Sequence, residues 1–274
     1  MVGGAARGCL RRPARTFHVS LLLDLRGQNV VVAHAHPDDE TLATGALLAE
    51  IASAPGEVHV VTATRGERGE LMPGLPGRAA DLVPGSWSYV AYREGELAAA
   101  LSALGIRHHA FLGQPPARAE GLPSRSYADS GMRWVSPGVA GPAADVGADA
   151  FTAAGVGEAA GDLAAYLRAA DADLVISYDA GGGYHHPDHV RMHEVAKTAA
   201  RECGLTFLEV IPPGRDDIPG DLDTIEWTDL SRHLPTVQAA LRAHASQVQV
   251  EGGDVVHVGG QREPIVTRVG LRRA

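Results

Sequence analysis

The stretch Asn29–Glu40 (NVVVAHAHPDDE) joins an apolar run to a crowded polar turn, and it indicates the fold of the chain. Its first residues, Asn29–Ala33, predict a buried strand, because a short continuous β-branched run is typical of a strand covered on both faces. A helix is predicted directly afterwards, over Thr41–Ser53, where apolar residues recur at helical spacing. Strand, polar turn and helix in this order form the repeating unit of α/β proteins.

The alternation of strands and helices continues along the chain. Further strands are predicted at Glu57–Ala63, His109–Leu112, Asp173–Tyr178 and Leu205–Ile211, and helices around Leu97–Leu104, Leu163–Leu167 and Pro187–Glu202. We therefore expect an α/β fold, a Rossmann-like and mostly parallel sheet with helices on both faces. A last helix is predicted from Leu234 to Val248, followed by an edge strand at Ile265–Leu271.

Length and composition fit a single domain. The 274 residues are 45% hydrophobic, which is enough for one sizeable core. Residues 1–26 are predicted to be a flexible leader, because the apolar stretch within them is too short and too interrupted for a signal peptide. Residues 27–274 then form the domain. Two segments rich in glycine and proline, Arg65–Ser88 and Gly113–Asp149, are expected to be long active-site loops.

Charge and cysteine content argue against several classes of protein. A formal net charge of −9, without any basic stripe, disfavours nucleic-acid binding. No apolar run reaches the roughly 18 residues of a membrane span. The two cysteines, Cys9 and Cys203, do not make a disulfide framework, so a cytoplasmic location is the default expectation. The expected partner is a small molecule, and the sequence leaves open whether the chain forms a homo-oligomer.

Two polar clusters follow predicted strands and carry the chemistry. The first is His34–Glu40, and the second is Tyr184–His189 (YHHPDH), which comes after three successive glycines. Because ligands of open α/β sheets bind beyond the carboxyl ends of the strands, the two clusters are expected to face one another. An acid at the start of a helix ordinarily caps that helix. Capping alone does not explain why a His-Pro-Asp unit follows a predicted strand twice.

A His, an Asp and a second His are a plausible ligand set for a catalytic Zn²⁺, which keeps one position for water and lowers the pKa of that water toward about 7. The donor types also suit other divalent metals such as Fe²⁺. A Mg²⁺ phosphatase is disfavoured by the imidazoles, and the glycines lack the spacing of a nucleotide-binding loop. His193 is expected to be a packed residue or one that supports a metal ligand from outside, because Val190 stands where a metalloprotease helix has its glutamate.

The two clusters resemble the motifs of the PIG-L/LmbE family of zinc N-deacetylases. The first family motif, Ala-His-Pro-Asp-Asp-Glu, stands at Ala35–Glu40, and the second, His-Pro-Asp-His, stands at His186–His189. Further segments are similar to the branch with the mycothiol-pathway deacetylase and amidase, namely Thr64–Glu67, Arg93–Leu97, Tyr127–Met132, Gly182–Tyr184 and Arg242–Gln247.

This resemblance implies a role for each matching residue. His36, Asp39 and His189 would bind the zinc, and Asp38 would be the general base. His186 would be the general acid or oxyanion partner, oriented by Asp188. Tyr184 matches a mobile tyrosine that assists at the tetrahedral intermediate, and Arg93 and Asp129 match residues that hold the sugar or its polar appendage.

The resulting prediction is an enzyme that removes an N-acetyl group from an N-acetylglucosamine-type conjugate, such as a mycothiol precursor, an antibiotic or a glycolipid sugar. One alternative is an amidase that cleaves a larger amide, for example in a mycothiol S-conjugate. Another is a non-catalytic carbohydrate-binding protein that retains the metal. Asp38 and His186 argue against the second alternative, because a structural metal site needs neither of them.

Overall fold

The computed structural model describes residues 20–75, 82–215 and 218–274. The strands along the chain are β1 (Asn29–His34), β2 (Glu57–Thr62), β3 (His108–Phe111), β4 (Met132–Ser136), β5 (Val139–Pro142), β6 (Leu174–Tyr178), β7 (Thr206–Ile211), β8 (Glu226–Asp229), β9 (Val248–Glu251), β10 (Asp254–His257), β11 (Arg262–Pro264) and β12 (Arg268–Arg273). The α-helices are α1 (Leu21–Asp24), α2 (Asp39–Leu42), α3 (Gly45–Ala52), α4 (Trp87–Leu104), α5 (Val156–Ala169), α6 (Gly182–His185), α7 (Pro187–Cys203) and α8 (Leu234–Ala243).

A seven-stranded sheet in the order β3-β2-β1-β6-β7-β12-β8 forms the centre of the molecule. Its first five strands are parallel to one another. β12 then pairs antiparallel with β7, and β8 pairs antiparallel with β12. The expected mostly parallel α/β sheet is therefore confirmed. The expected edge position of Ile265–Leu271 is wrong, because β12 lies between β7 and β8. The four-residue strand β8, which sequence periodicity did not indicate, takes the edge instead.

Both faces of the sheet are covered, because alternate side chains of each strand point to opposite faces. Val30 and Val32 of β1 pack in one apolar cluster with residues of α3, α4 and α8. Val31 and Ala33 of the same strand pack in a second cluster with residues of α5 and α7. Helices on both faces are what the near-continuous apolar sequence of β1 predicts.

Several local features differ from the sequence predictions. The helix predicted over Thr41–Ser53 is broken into α2 and α3, and the one predicted to reach Val248 ends at Ala243, after which β9 begins. The segment Gly113–Asp149 contains the β4–β5 hairpin, and residues 76–81 of the other long segment lie outside the described residues.

Residues 1–19 of the predicted leader, with Cys9, also lie outside the described part of the chain. Its last residues include α1, whose Leu21 and the following Leu25 are buried in the core. Among the described residues, no helix combines the length and the apolar character that crossing a membrane requires.

Candidate active site

The two polar clusters lie at the same edge of the sheet, beyond the carboxyl ends of β1 and β6. His36–Asp39 follow β1 directly, and His186–His189 connect α6 to the first turn of α7. Strands β1 and β6 are hydrogen-bonded neighbours. The turns that follow them are therefore adjacent in space, as the position of the clusters in the sequence predicts.

His36, Asp39 and His189 bring two ring nitrogens and both carboxylate oxygens of Asp39 close together. His36 Nδ1 lies 3.2 Å from Asp39 Oδ2 and 3.3 Å from His189 Nε2, and His189 Nε2 lies 3.2 Å from Asp39 Oδ1. The other ring nitrogens face acceptors, since His189 Nδ1 is 3.2 Å from the Gly182 carbonyl and His36 Nε2 is 3.1 Å from an Asp188 oxygen. A hydrogen on each outer nitrogen leaves the two inner lone pairs directed at one point.

These three residues fit a tetrahedral metal ion. With ligand distances of about 2.0–2.1 Å, the donor atoms of such a site lie about 3.3–3.4 Å apart, close to the spacings observed here. Two other triplets of donor residues also share His36, namely His36 with His186 and His189, and His36 with Asp129 and Asp188. The set with Asp39 fits better than the set with Asp129 and Asp188, because these two carboxylates face the outer nitrogen of His36.

Charge also favours a cation at this point. Burial by itself would lower the pKa of His36, but the carboxylates of Asp129, Asp188 and Asp39 outweigh it and hold that pKa well above its usual value. The pKa of Asp39 is shifted in the opposite direction. Burial would raise the pKa of its carboxyl, but His189 and His36 hold it well below the usual range. The cluster of acids thus stabilises positive charge beside it.

Asp38 adjoins the cluster in a strained backbone conformation. Its φ of 112° is rare for a residue other than glycine, and its N–H donates to a carboxylate oxygen of Glu40 at 2.9 Å. Burial raises the pKa of Asp38, the Arg93 guanidinium lowers it and Asp39 raises it, so that the value is about 6. Asp38 is therefore a carboxyl group that titrates close to neutral pH.

Arg93 and Asp129 both adjoin the cluster from separate segments. The buried guanidinium of Arg93 lies 3.0 Å from Asp38 Oδ2 and also donates to the carbonyls of Pro37 and Gly66. Asp129 Oδ1 lies 3.7 Å from His36 Nε2. The described contacts of Arg93 are thus to the loop that carries Asp38 and to Gly66 after β2, and its contact with the sugar or its polar appendage stays a prediction.

His186 forms the cap of α7. Its Nδ1 accepts a hydrogen bond from the backbone N–H of Asp188 at 3.2 Å, which places the hydrogen of the neutral ring on Nε2. The contact that was predicted between these residues is therefore made by the main chain, and the Asp188 carboxylate accepts instead from the backbone N–H and hydroxyl of Ser130. Burial, His36 and His189 lower the pKa of His186 more than Asp188 raises it.

Tyr184 stands at the rim of the cluster beside an aromatic residue that the sequence did not single out. Its ring centroid lies 5.2 Å from that of His189 and 5.8 Å from that of His186. Trp134, on the β4–β5 hairpin, lies 5.8 Å from Tyr184 on the outer side, and its surface is 53% exposed. Burial and four nearby aspartates hold the pKa of the Tyr184 phenol well above its usual value.

The three glycines before Tyr184 determine the shape of this loop. Gly182 has a φ of 60°, and a Cβ there would lie 2.7 Å from the backbone nitrogen of Val190. Its carbonyl accepts from His189 Nδ1. The run is therefore explained by close packing against α7 and by orientation of His189, without a nucleotide. His193 is buried with Nδ1 2.9 Å from the Tyr178 carbonyl, so its expected packing role is confirmed.

Two further residues hold the cluster in place and were not assigned a role from the sequence. Tyr178, the last residue of β6, donates to Asp39 Oδ2 at 2.7 Å and stacks on His189 at 4.2 Å between ring centroids. The buried His244 lies 2.7 Å from Glu40 Oε1, and so joins the segment Arg242–Gln247 to the loop of Asp38. The available signals were the position of Tyr178 at the end of a strong strand and the resemblance of Arg242–Gln247 to the family branch.

The chain is similar in sequence to a known protein family and to several of its members. A family model described as PIG-L, GlcNAc-PI de-N-acetylase, matches residues 31–200. Enzymes named 1D-myo-inositol 2-acetamido-2-deoxy-alpha-D-glucopyranoside deacetylase are similar in sequence. The enzyme from Saccharopolyspora erythraea is 37% identical, and the match covers 81% of this chain and 78% of that enzyme. The enzyme from Nocardioides sp. is 36% identical, and the match covers 88% of this chain and 74% of that enzyme.

Solved structures share the fold at lower identity. A deacetylase in complex with teicoplanin, from the teicoplanin biosynthesis pathway, has a TM-score of 0.56 at 21% identity, covering 90% of this chain and 98% of its own. The A40926 pseudoaglycone deacetylase Dbv21 has a TM-score of 0.54 at 21% identity, covering 80% and 82%. On the family match and the relatives above 30% identity, the chain belongs to the PIG-L family of de-N-acetylases.

Proposed function

We propose that this protein is a zinc-dependent hydrolase that removes the N-acetyl group from an N-acetylglucosamine-type sugar conjugate. The observation that carries the proposal is the approach of the two inner ring nitrogens of His36 and His189, 3.3 Å apart, to the Asp39 carboxylate, a different oxygen of which lies 3.2 Å from each nitrogen. Relatives that are named for an acetamido sugar on inositol support a substrate of this class.

Zinc is the proposed metal because two imidazoles and one carboxylate are a ligand set that catalytic zinc commonly uses. When bound, the metal supplies Lewis-acid polarisation of the amide carbonyl and lowers the pKa of a water molecule in the site. The outer contacts of His36 and His189 support the proposal, since they fix both rings with the inner lone pairs free.

Asp38 is proposed as the general base. As a carboxylate it accepts a proton from the attacking water, and the resulting carboxylic acid is positioned to return that proton to the leaving nitrogen as the C–N bond breaks. Its pKa of about 6 suits both steps near neutral pH. The ion pair with Arg93 holds the Asp38 carboxylate in place and limits how far burial raises that pKa.

His186 and Tyr184 are proposed to stabilise the oxyanion of the tetrahedral intermediate. The neutral His186 ring carries its hydrogen on Nε2, because Nδ1 already accepts from the main chain, and the lowered pKa disfavours an imidazolium. The Tyr184 phenol stays protonated at neutral pH. Of the two roles that the family resemblance implies for His186, we therefore propose oxyanion partner in preference to general acid.

The decisive experiment compares substrates and metal states. Untagged protein is stripped with a chelator, titrated with Zn²⁺, and assayed for free amine from N-acetylglucosaminyl-inositol and from a cysteinyl amide of the corresponding amino sugar. We expect no turnover without metal, full turnover once the site of His36, Asp39 and His189 is filled, and a strong preference for the acetylated sugar. Preference for the cysteinyl amide would favour the amidase. Absence of turnover with both substrates in the zinc-loaded protein would contradict a hydrolase.

A further inference from the structure

A second group of metal-ligating side chains lies at the opposite end of the sheet from the active site. Glu57 and His59 are on β2, and His108 is on the neighbouring edge strand β3, paired in register with His59. The active-site turns follow the carboxyl ends of the strands, whereas Glu57 begins β2. Because a strand rises about 3.3 Å per residue, the two clusters are separated by most of the length of the sheet.

The three side chains lie close together, and a turn of the partly exposed His108 ring would direct both imidazoles at one ion. His59 Nε2 lies 3.5 Å from Glu57 Oε2, and His108 Nε2 lies 3.7 Å from Glu57 Oε1. One donor atom from each residue lies within 4.8 Å of the other two. The imidazoles of His59 and His108 are stacked with ring centroids 4.4 Å apart. Two imidazoles and a carboxylate within this distance are a donor set that suits Zn²⁺ and related divalent transition metals.

An unpartnered buried atom points into this cluster. His59 is 6% exposed, and its Nε2 has no hydrogen-bond partner among the described residues. Leaving a buried polar atom without a partner destabilises the folded state, and a bound cation would relieve this. The other ring nitrogen, Nδ1, lies 3.1 Å from the hydroxyl of Tyr166 on α5. Donation from Nδ1 to that hydroxyl leaves the Nε2 lone pair available, as in metal sites whose histidines are oriented by an outer partner.

We propose that Glu57, His59 and His108 form a second site for a divalent transition metal, distinct from the catalytic cluster. His59 is the fixed ligand, held by Tyr166 on one side. Glu57 and His108 are partly exposed, with side chains 46% and 40% accessible, so they can close on the ion from solvent. A metal there would tie the edge strand β3 to β2 and stabilise the folded state by binding it selectively.

The test is a Zn²⁺ titration of untagged, metal-free protein by equilibrium dialysis and by thermal melting. The variants are His36→Ala, His108→Ala and the double variant, and His257→Ala is the matched control. His257 is another partly exposed histidine next to a glutamate, 2.8 Å from Glu263, but no third donor joins the pair within the part of the chain that the structure describes. His108 is used because substitution of the buried His59 could itself impair folding.

Wild type and His257→Ala should bind two equivalents of Zn²⁺, and His108→Ala should bind one. Zn²⁺ should raise the melting temperature of His36→Ala but not that of the double variant. Equal stoichiometry and equal zinc-dependent stabilisation in wild type and His108→Ala would overturn the second site. The proposed function is tested separately, because loss of catalysis in His36→Ala does not affect the comparison at His108.

Discussion

The Nε2 atom of His36 lies 3.1 Å from a carboxylate oxygen of Asp188, 152 positions further along the chain. The same carboxylate is held by the backbone N–H and hydroxyl of Ser130. The first motif, the second motif and the loop after β3 therefore meet at a single aspartate. Its carboxylate fixes the ring of His36, so Asp188 positions a proposed metal ligand in addition to starting α7.

The first prediction is that Asp188→Asn weakens metal binding about 10–100-fold, the range typical of a lost outer partner of a ligating histidine. The amide keeps the shape but removes the charge that orients and polarises His36. Ser130→Ala should have a smaller effect in the same direction, because the backbone N–H remains. Competition with a chelator measures the dissociation constants. An unchanged constant in Asp188→Asn would contradict the positioning role.

The second prediction separates metal binding from proton transfer. His36→Ala should lose the active-site metal, since it removes one of three donor atoms. Asp38→Asn should keep the metal and lose at least about 10²-fold in kcat, the usual contribution of a general base. Metal analysis and steady-state kinetics of both variants check this. Comparable metal loss in the two variants would assign Asp38 to the ligand set instead.

Sequence reasoning located the site well because two of its determinants are local. The apolar strands β1 and β6 are each followed directly by a polar cluster, and the rule for open α/β sheets places both clusters at one edge. The spacing of His36 and Asp39 within one turn could likewise be read from the motif. These features depend on residues that are close in sequence.

Features that depend on tertiary contact were not predictable. The ion pair of Arg93 with Asp38 and the contact of Asp188 with His36 join segments far apart in sequence, and no local pattern specifies either one. The insertion of β12 between β7 and β8 could not be predicted either, because the short β8 carries too little periodicity. The hairpin with Trp134 lies in a glycine- and proline-rich segment that was expected to be a loop.

The third prediction concerns the acid limb of the pH profile of kcat/KM. The Arg93 guanidinium lowers the pKa of Asp38 against the effect of burial. Arg93→Met removes that influence, so the pKa of Asp38 should rise and the acid limb should move to higher pH. Arg93→Lys, which keeps the charge, should restore much of the original profile. A raised KM with an unmoved acid limb would instead support direct contact between Arg93 and the substrate.

The fourth prediction distinguishes the two roles considered for His186. A neutral donor of a hydrogen bond to the oxyanion should lower kcat by about 10²–10³-fold when it is removed. His186→Ala should show this loss, and His186→Gln, whose amide can donate, should retain more activity. The alkaline limb of the profile should stay in place in both variants. Disappearance of that limb in His186→Ala would show that an imidazolium acts as the general acid.

The last prediction concerns Trp134, whose exposed ring lies 5.8 Å from Tyr184 at the rim of the site. An exposed indole next to a cluster that would bind a sugar amide offers an apolar face for the ring of the substrate. Trp134→Ala should raise KM about 3- to 10-fold, in line with about 0.5–1.5 kcal/mol for an aromatic contact, and should change kcat little.

Trp134→Phe should keep most of the affinity, because the aromatic face remains. Trp227→Ala is the matched control, since Trp227 is also partly exposed but lies on the outer strand β8 against Arg268. It should leave both constants unchanged. The rise in KM of Trp134→Ala should be seen with the full sugar conjugate. It should be absent with a minimal acetamide that has no ring to contact the indole. An equal loss with both substrates would mean that Trp134 supports the position of Tyr184 and does not contact the substrate.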